Sequence, residues 1–273
     1  MTADPKSQIF SMKFTAFSLP GISFEAARVP WDSELFGVDV YELRSVMITE
    51  AGESEKLRES VESIPALLGA SICCLRLEPD QGRESFLFQR AGFLFVEYSL
   101  KLVQRRLSTF KPLARSMPLK PSSPSDLPTL LDIGKTAFTE ERMCRDERFP
   151  QEMVAARYAN WIRNSAENGR DTVLVSATVS PPHGFVIVRE EGSEAQFILA
   201  AVTPALRGSG VGALIISSAV DHMKGQGSKT GSTTVSSNNV PVLRVWESLG
   251  FIVQRGEQVL HWVSPRFSLP RKL

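Results

Sequence analysis

Apolar positions recur along the chain in two rhythms that alternate. Residues 36–48 are rich in Val, Tyr and Leu and predict a strand. Leu57, Val61, Ile64 and Leu68 fall on one face of a helix, with Pro65 set against that reading. Residues 72–77 form an apolar run of strand length. A helix then leads to Ala91, Gly92 and Phe93, and residues 94–102 read as strand again. In the second half, Ser125 or Asp126 caps a helix striped by Leu127, Leu130, Leu131 and Phe138. Val154, Tyr158, Trp161 and Ser165 share one face of the next helix. Strand candidates follow at 172–178, 184–189 and 196–202. A glycine-rich turn opens a helix over 210–224, in which Val211, Ile215, Ala219 and Met223 repeat every fourth residue. A strand near Thr233, a short helix after Asn239 and strands within 251–263 complete the pattern, which argues for an α/β or α+β fold.

The pattern breaks between Lys101 and Pro128. Six basic residues and no acid occupy 101–120, and Pro112, Pro118, Pro121, Pro124 and Pro128 follow one another. Proline fixes φ and removes backbone donors, so this stretch reads as an extended linker. The basic run could serve as a phosphate patch, but no aromatic residues interleave with it as in a nucleic-acid groove, which favours a solvated linker. The expected domains are 1–115, a smaller α/β unit, and 116–273. Residues 88–93 can be laid over 246–251, each a helix end, a glycine and a strand start. Duplication of a degenerate copy and chance likeness of two turns explain six positions equally well.

Composition narrows the class. The chain has 273 residues, 42% apolar and 22% charged, which is ordinary globular usage. A net charge of +1 excludes a protein built mainly around nucleic-acid electrostatics. Cys73, Cys74 and Cys144 make no disulfide framework, and with three histidines they show no metal-ligand spacing. Residues 1–14 carry Asp4 and no continuous apolar core, unlike a secretory signal, and no window reaches the ~18 apolar residues of a membrane span. The expectation is a soluble, cytoplasmic protein with no metal, no nucleic acid and no membrane partner, its oligomeric state left open.

The chemistry concentrates in residues 202–213. Strand, arginine, three glycines and helix follow in order, with Arg207, Gly208, Ser209, Gly210, Val211, Gly212 and Ala213 at the junction. Glycines there let a ligand approach the backbone, and the helix N-terminus offers free N–H groups to a phosphate or pyrophosphate. A purely structural turn is one reading. A dinucleotide fingerprint is another, since Gly208, Gly210 and Ala213 satisfy G-x-G-x-x-A. It expects an acid about 20 residues onward, but 224–245 contains none, and only about sixty residues remain. A P-loop fails because Gly227 and Lys229 lack its spacing.

The pattern V-x-P-x-x-R-G-x-G-x-G over 202–212 resembles the acyl-coenzyme A signature of the GNAT acetyltransferases. Residues 239–251 are similar to that family's N-x-x-A-L-x-L-Y-x-x-L-G-F block. Trp31 to Gly37, Asp146 to Phe149 and Tyr158 to Ser165 further resemble enzymes of the dTDP-fucosamine acetyltransferase group, which acetylate nucleotide-linked amino sugars. The resemblance implies a mixed, mostly antiparallel sheet flanked by helices, and acetyl-CoA as co-substrate. It implies cofactor contacts from Ala200, Ala201, Val202, residues 207–213 and Asn239, with a strand bulge near Val202. It implies a small-molecule amine acceptor, most closely a nucleotide sugar; a protein or small amine and a CoA-binding module without efficient transfer are the alternatives. The family's acid tyrosine is replaced by Trp246, whose indole N–H cannot supply a proton near neutral pH. Gln196 stands where some family members place a glutamate base. His183 and His261 are candidate bases on residue type, although packing or exposure explains a lone histidine as readily.

Overall fold

A computed structural model of the chain describes residues 12–267. Most of the segment compared above with a secretory signal lies outside them. The chain divides into two compact units, residues 12–99 with 256–267, and Leu100–Arg255. This differs from the division expected at 115/116. The basic, proline-rich stretch belongs to the second unit, and the C-terminal residues from 256 belong to the first.

In the first unit, β1 (Thr15–Leu19) and β2 (Ile22–Arg28) form a hairpin across Pro20 and Gly21. Gly21 sits at φ +79°, a conformation that glycine adopts without penalty. Helix α1 (Pro30–Phe36) leads to β3 (Val40–Ile48). Helix α2 (Glu55–Leu68) carries Pro65 only in its last turn and stops at Gly69. Strand β4 (Ile72–Leu77), α3 (Gly82–Arg90) and β5 (Leu94–Gln104) follow, the residues of β5 from 100 belonging to the second unit. Neighbouring strands are antiparallel except β3 and β4, the pair that α2 connects. The core packs Phe24, Leu43, Leu57, Ile64, Phe88 and Phe93.

The second unit contains β6 (Leu119–Pro121), α4 (Leu127–Ala137), α5 (Arg142–Arg145), α6 (Gln151–Glu167) and β7 (Asp171–Ser176). Then come β8 (Gly184–Glu191), β9 (Glu194–Val202), α7 (Val211–Gly225), β10 (Thr230–Ser236), α8 (Val240–Ser248) and the start of β11 (Ile252–Val263), whose residues from 256 belong to the first unit. Strands run in the order β6-β7-β8-β9-β10, antiparallel except for β9 with β10, which α7 connects. Val186, Val188, Phe197, Ile215, Ala219, Trp246 and Phe251 form its core. Asp126 stands at the N-cap position of α4, yet its carboxylate accepts from the Ser123 N–H (2.8 Å) and hydroxyl (2.6 Å) and not from the helix. Those bonds hold its pKa below the usual carboxylate range.

The expected linker is a packed segment. Leu107 and Phe110 are core residues, and the N–H groups of Leu113 and Met117 donate to the Ser217 and Ser218 hydroxyls of α7 at 3.0 and 2.9 Å. Serines inside α7 thus supply the acceptors that a proline-broken backbone cannot find in a ladder.

Two stretches of the chain repeat one order of elements. Strand, helix, parallel strand, helix, Gly-Phe and long strand occur as β3-α2-β4-α3-Gly92-Phe93-β5 and as β9-α7-β10-α8-Gly250-Phe251-β11. The helix ends match in detail. Phe93 N–H donates to the Phe88 carbonyl and Phe251 N–H to that of Trp246, both at 3.0 Å, with Gly92 and Gly250 at φ +88° and +80°. A shared topology of this length favours duplication over chance likeness of two turns.

Candidate active site

Strand β9 bonds β8 along most of its length but pairs with β10 only from Glu194 to Phe197. The register with β8 slips there: Val188 faces Phe197 and Ile187 faces Leu199, leaving Ile198 as the extra residue of a bulge. The bulge lies four residues before Val202, not near it as expected. Beyond it, β9 runs on without β10 beside it. The Thr203 N–H donates to the His183 carbonyl on the β8 side at 2.8 Å. Strand alternation therefore turns the N–H groups of Ala200 and Val202 the other way, into the opening. Sequence patterns do not reveal this opening, since it arises where two strands stop pairing.

A 3-10 turn, Pro204–Leu206, follows β9. Ser209 folds back on it, its hydroxyl donating to the Leu206 carbonyl at 2.6 Å. Gly208 and Gly210 have φ +77° and +87°, so the backbone itself requires glycine at both. Gly212 has no such requirement, and a Cβ there would meet no atom within 4 Å. Helix α7 has no side-chain cap, and its first internal bond runs from Leu214 N–H to the Gly210 carbonyl (3.0 Å). The N–H groups of Val211, Gly212 and Ala213 therefore lack intrahelical acceptors at the positive end of the helix dipole. Arg207 is exposed beside them, its guanidinium donating to Thr136 Oγ1 at 3.1 Å across to α4. Open space, uncapped donors and a nearby cation fit a pyrophosphate.

Parallel β9 and β10 end at the same edge of the sheet, which brings Asn239 to the side of the glycine loop. Asn239 caps α8, accepting from Val242 N–H at 3.4 Å, so part of its hydrogen-bonding capacity is structural. Trp246 is 2% exposed, with its ring 5.3 Å from Phe197 and 4.6 Å from Phe251. Its indole packs in the core against Phe197 and Phe251, and an indole N–H is no proton source near neutral pH. His261 is fully buried in the first unit opposite Cys74, which removes it as a base. His183 is exposed, one residue before β8. Gln196 donates to Glu191 at 3.0 Å. Tyr158 is stacked on Phe138 at 4.4 Å, and burial pushes its phenol well up. Burial, with Glu141 and Glu140, pushes the Cys144 thiol up to about 11. Neither Tyr158 nor Cys144 is an ionised nucleophile at neutral pH, so this arrangement suits direct transfer.

The corresponding helix of the first unit is built differently. Ser54 caps α2, accepting from Leu57 N–H at 3.1 Å, and donates to Glu50 at 2.8 Å. Glu50, Glu53 and Glu55 surround that helix start. A helix start whose Leu57 N–H is already taken by Ser54, and whose Glu55 and Glu53 pair with Arg58 and Arg90, lacks the uncapped donors of α7. Ser54→Ala should cost about 1 kcal/mol of stability by thermal melting without creating an anion site.

Among the described residues no group of three or more His, Cys, Asp or Glu could hold a metal, and no helix is long and apolar enough to cross a membrane. The chain is 22% identical over 236 residues to the spore coat polysaccharide biosynthesis protein SpsD of Bacillus subtilis (strain 168), covering 85% of this chain and 80% of that protein. Its fold is similar to a GCN5-related N-acetyltransferase from Sphaerobacter thermophilus, with a TM-score of 0.58 and 10% identity over 91% of this chain and 79% of that one. It is also similar to a tandem GNAT protein of the clavulanic acid biosynthesis pathway, with a TM-score of 0.54 and 12% identity over 92% and 86%. Residues 135–251, which hold the opened strand and the glycine loop, match the acetyltransferase (GNAT) family.

Proposed function

We propose that the chain transfers an acetyl group from acetyl-CoA to the amine of a nucleotide-linked amino sugar. The observation that carries the acceptor class is the likeness, over most of the chain, to a protein of spore coat polysaccharide biosynthesis. The cofactor follows from the family and from the fit of the glycine loop to a pyrophosphate. When bound, the thioester supplies an activated acetyl carbonyl and a thiolate leaving group. Val211, Gly212 and Ala213 hold the pyrophosphate through backbone N–H groups, with Arg207 adding charge. The N–H groups of Ala200 and Val202 face the opening and polarise the carbonyl oxygen. Positioning of amine and thioester supplies much of the acceleration. A thiol pKa near ~8.5 lets the thiolate leave without a protein acid, in keeping with an indole at position 246.

Thiol release measured over aminated nucleotide sugars, polyamines and peptides tests the acceptor. Turnover confined to the nucleotide sugars is the expected result; preference for peptides or polyamines overturns it. Calorimetry should count one acetyl-CoA per chain, because the capped α2 offers no second cradle. A count of two would refute that reading of the first unit.

A further inference from the structure

A cleft of about 590 Å³ opens in the second unit between the end of β5 and the loop from α7 to β10. Four of its lining residues are cations, Arg105, Arg106, Lys224 and Lys229, and none is an acid. Elsewhere in this unit Arg145, Arg148, Arg170 and Arg189 each pair with a carboxylate. Among the described residues no carboxylate pairs with any of the four cleft cations. Glu194, beside the loop, is turned to the Ser232 hydroxyl. Lys224 is held in place by donating to the Phe110 carbonyl at 2.8 Å, while Arg105, Arg106 and Lys229 are exposed. Four like charges gathered without counterions repel one another, and a bound anion relieves that cost.

The chemistry of the lining narrows the anion. Two adjacent guanidinium forks and two ammonium groups match the several oxygens and multiple charge of a diphosphate better than a monoanion. The hydroxyls of Ser108 and Ser228 add neutral donors. Gly227, at φ +100° with no atom within 4 Å of a Cβ position, leaves one wall bare for close approach. The volume falls in the range of small-molecule sites, and no aromatic residue lines it for base stacking along a strand. The cleft adjoins the C-terminal end of α7, and the glycine loop its N-terminal end. The 15-residue helix separates them by about 22 Å. We propose that this cleft binds a diphosphate with a free terminal phosphoryl group, unlike the doubly esterified diphosphate of acetyl-CoA, at a site distinct from that of acyl transfer. The proposal does not depend on the acceptor named above.

Inorganic pyrophosphate and uridine diphosphate, titrated calorimetrically into the full chain carrying Gly212→Asp, provide the test. That substitution blocks the glycine loop with a negative charge and leaves the cleft untouched. One bound diphosphate per chain is expected. Arg105→Ala with Arg106→Ala should weaken it at least about tenfold through loss of charge-assisted contacts, at unchanged melting temperature. Lys229→Ala alone should weaken it less. Tighter uridine diphosphate assigns the site to a nucleoside diphosphate, and equal affinities assign it to inorganic diphosphate. Absence of binding, equal binding by the double variant, or equal binding of sulfate overturns the proposal.

Discussion

Gly212→Asp is expected to abolish acetyl-CoA binding while the protein stays folded. Gly212 lies in the first turn of α7 without positive φ, and no atom lies within 4 Å of the position its Cβ would take. An aspartate there also favours the positive end of the helix dipole, so the melting temperature should hold or rise slightly. The same carboxylate stands where a pyrophosphate must approach three uncapped N–H groups. Loss of those contacts with added repulsion should exceed about 2.7 kcal/mol, a hundredfold in affinity. Gly210→Asp should also block binding, but its φ of +87° adds backbone strain that confuses the comparison. Arg207→Ala should weaken binding modestly, because the backbone donors remain. Unchanged affinity by calorimetry in a folded Gly212→Asp protein would remove the site assignment.

Truncation of Trp246 should act on stability first. The ring fills the space between Phe197 and Phe251 at 2% exposure. Trp246→Ala should cost about 3–5 kcal/mol, equivalent to a fall in melting temperature of roughly 6–20 °C. Trp246→Tyr places a smaller ring with a hydroxyl in an apolar core, at a cost of about 1–3 kcal/mol. Turnover per folded molecule should not rise, because the position faces the core and not the opening. A large gain in turnover for Trp246→Tyr at unchanged melting temperature would contradict this core placement. Melting curves read beside thiol release separate the two outcomes.

Much of this architecture is legible in local pattern. The apolar stripe on Leu57, Val61 and Ile64 and that on Ile215, Ala219 and Met223 correspond to buried faces of α2 and α7. The hairpin of β1 and β2 also has a local signal, Pro20-Gly21 ahead of alternating Ile22, Phe24 and Ala26. The stretch from 101 to 128 packs contrary to its local pattern for a physical reason. Proline and basic residues suit an extended, solvated chain, and nothing nearby in sequence shows that Ser217 and Ser218 wait on α7 to receive its N–H groups.

The glycine loop belongs to the kind of feature that local chemistry determines. Positive φ at Gly208 and Gly210 and an uncapped helix start are properties of a few consecutive residues, so the anion cradle can be read from their order. The opening beside β9 is different. It depends on β10 ceasing to pair after Phe197 and on one extra residue at Ile198, which are relations between strands far apart in the chain. Trp246 follows the same division. Its place in the motif is visible in the sequence, but a side chain becomes wall or catalyst according to which face of α8 the packing buries. Phe197 and Phe251, brought together by folding, put it in the core.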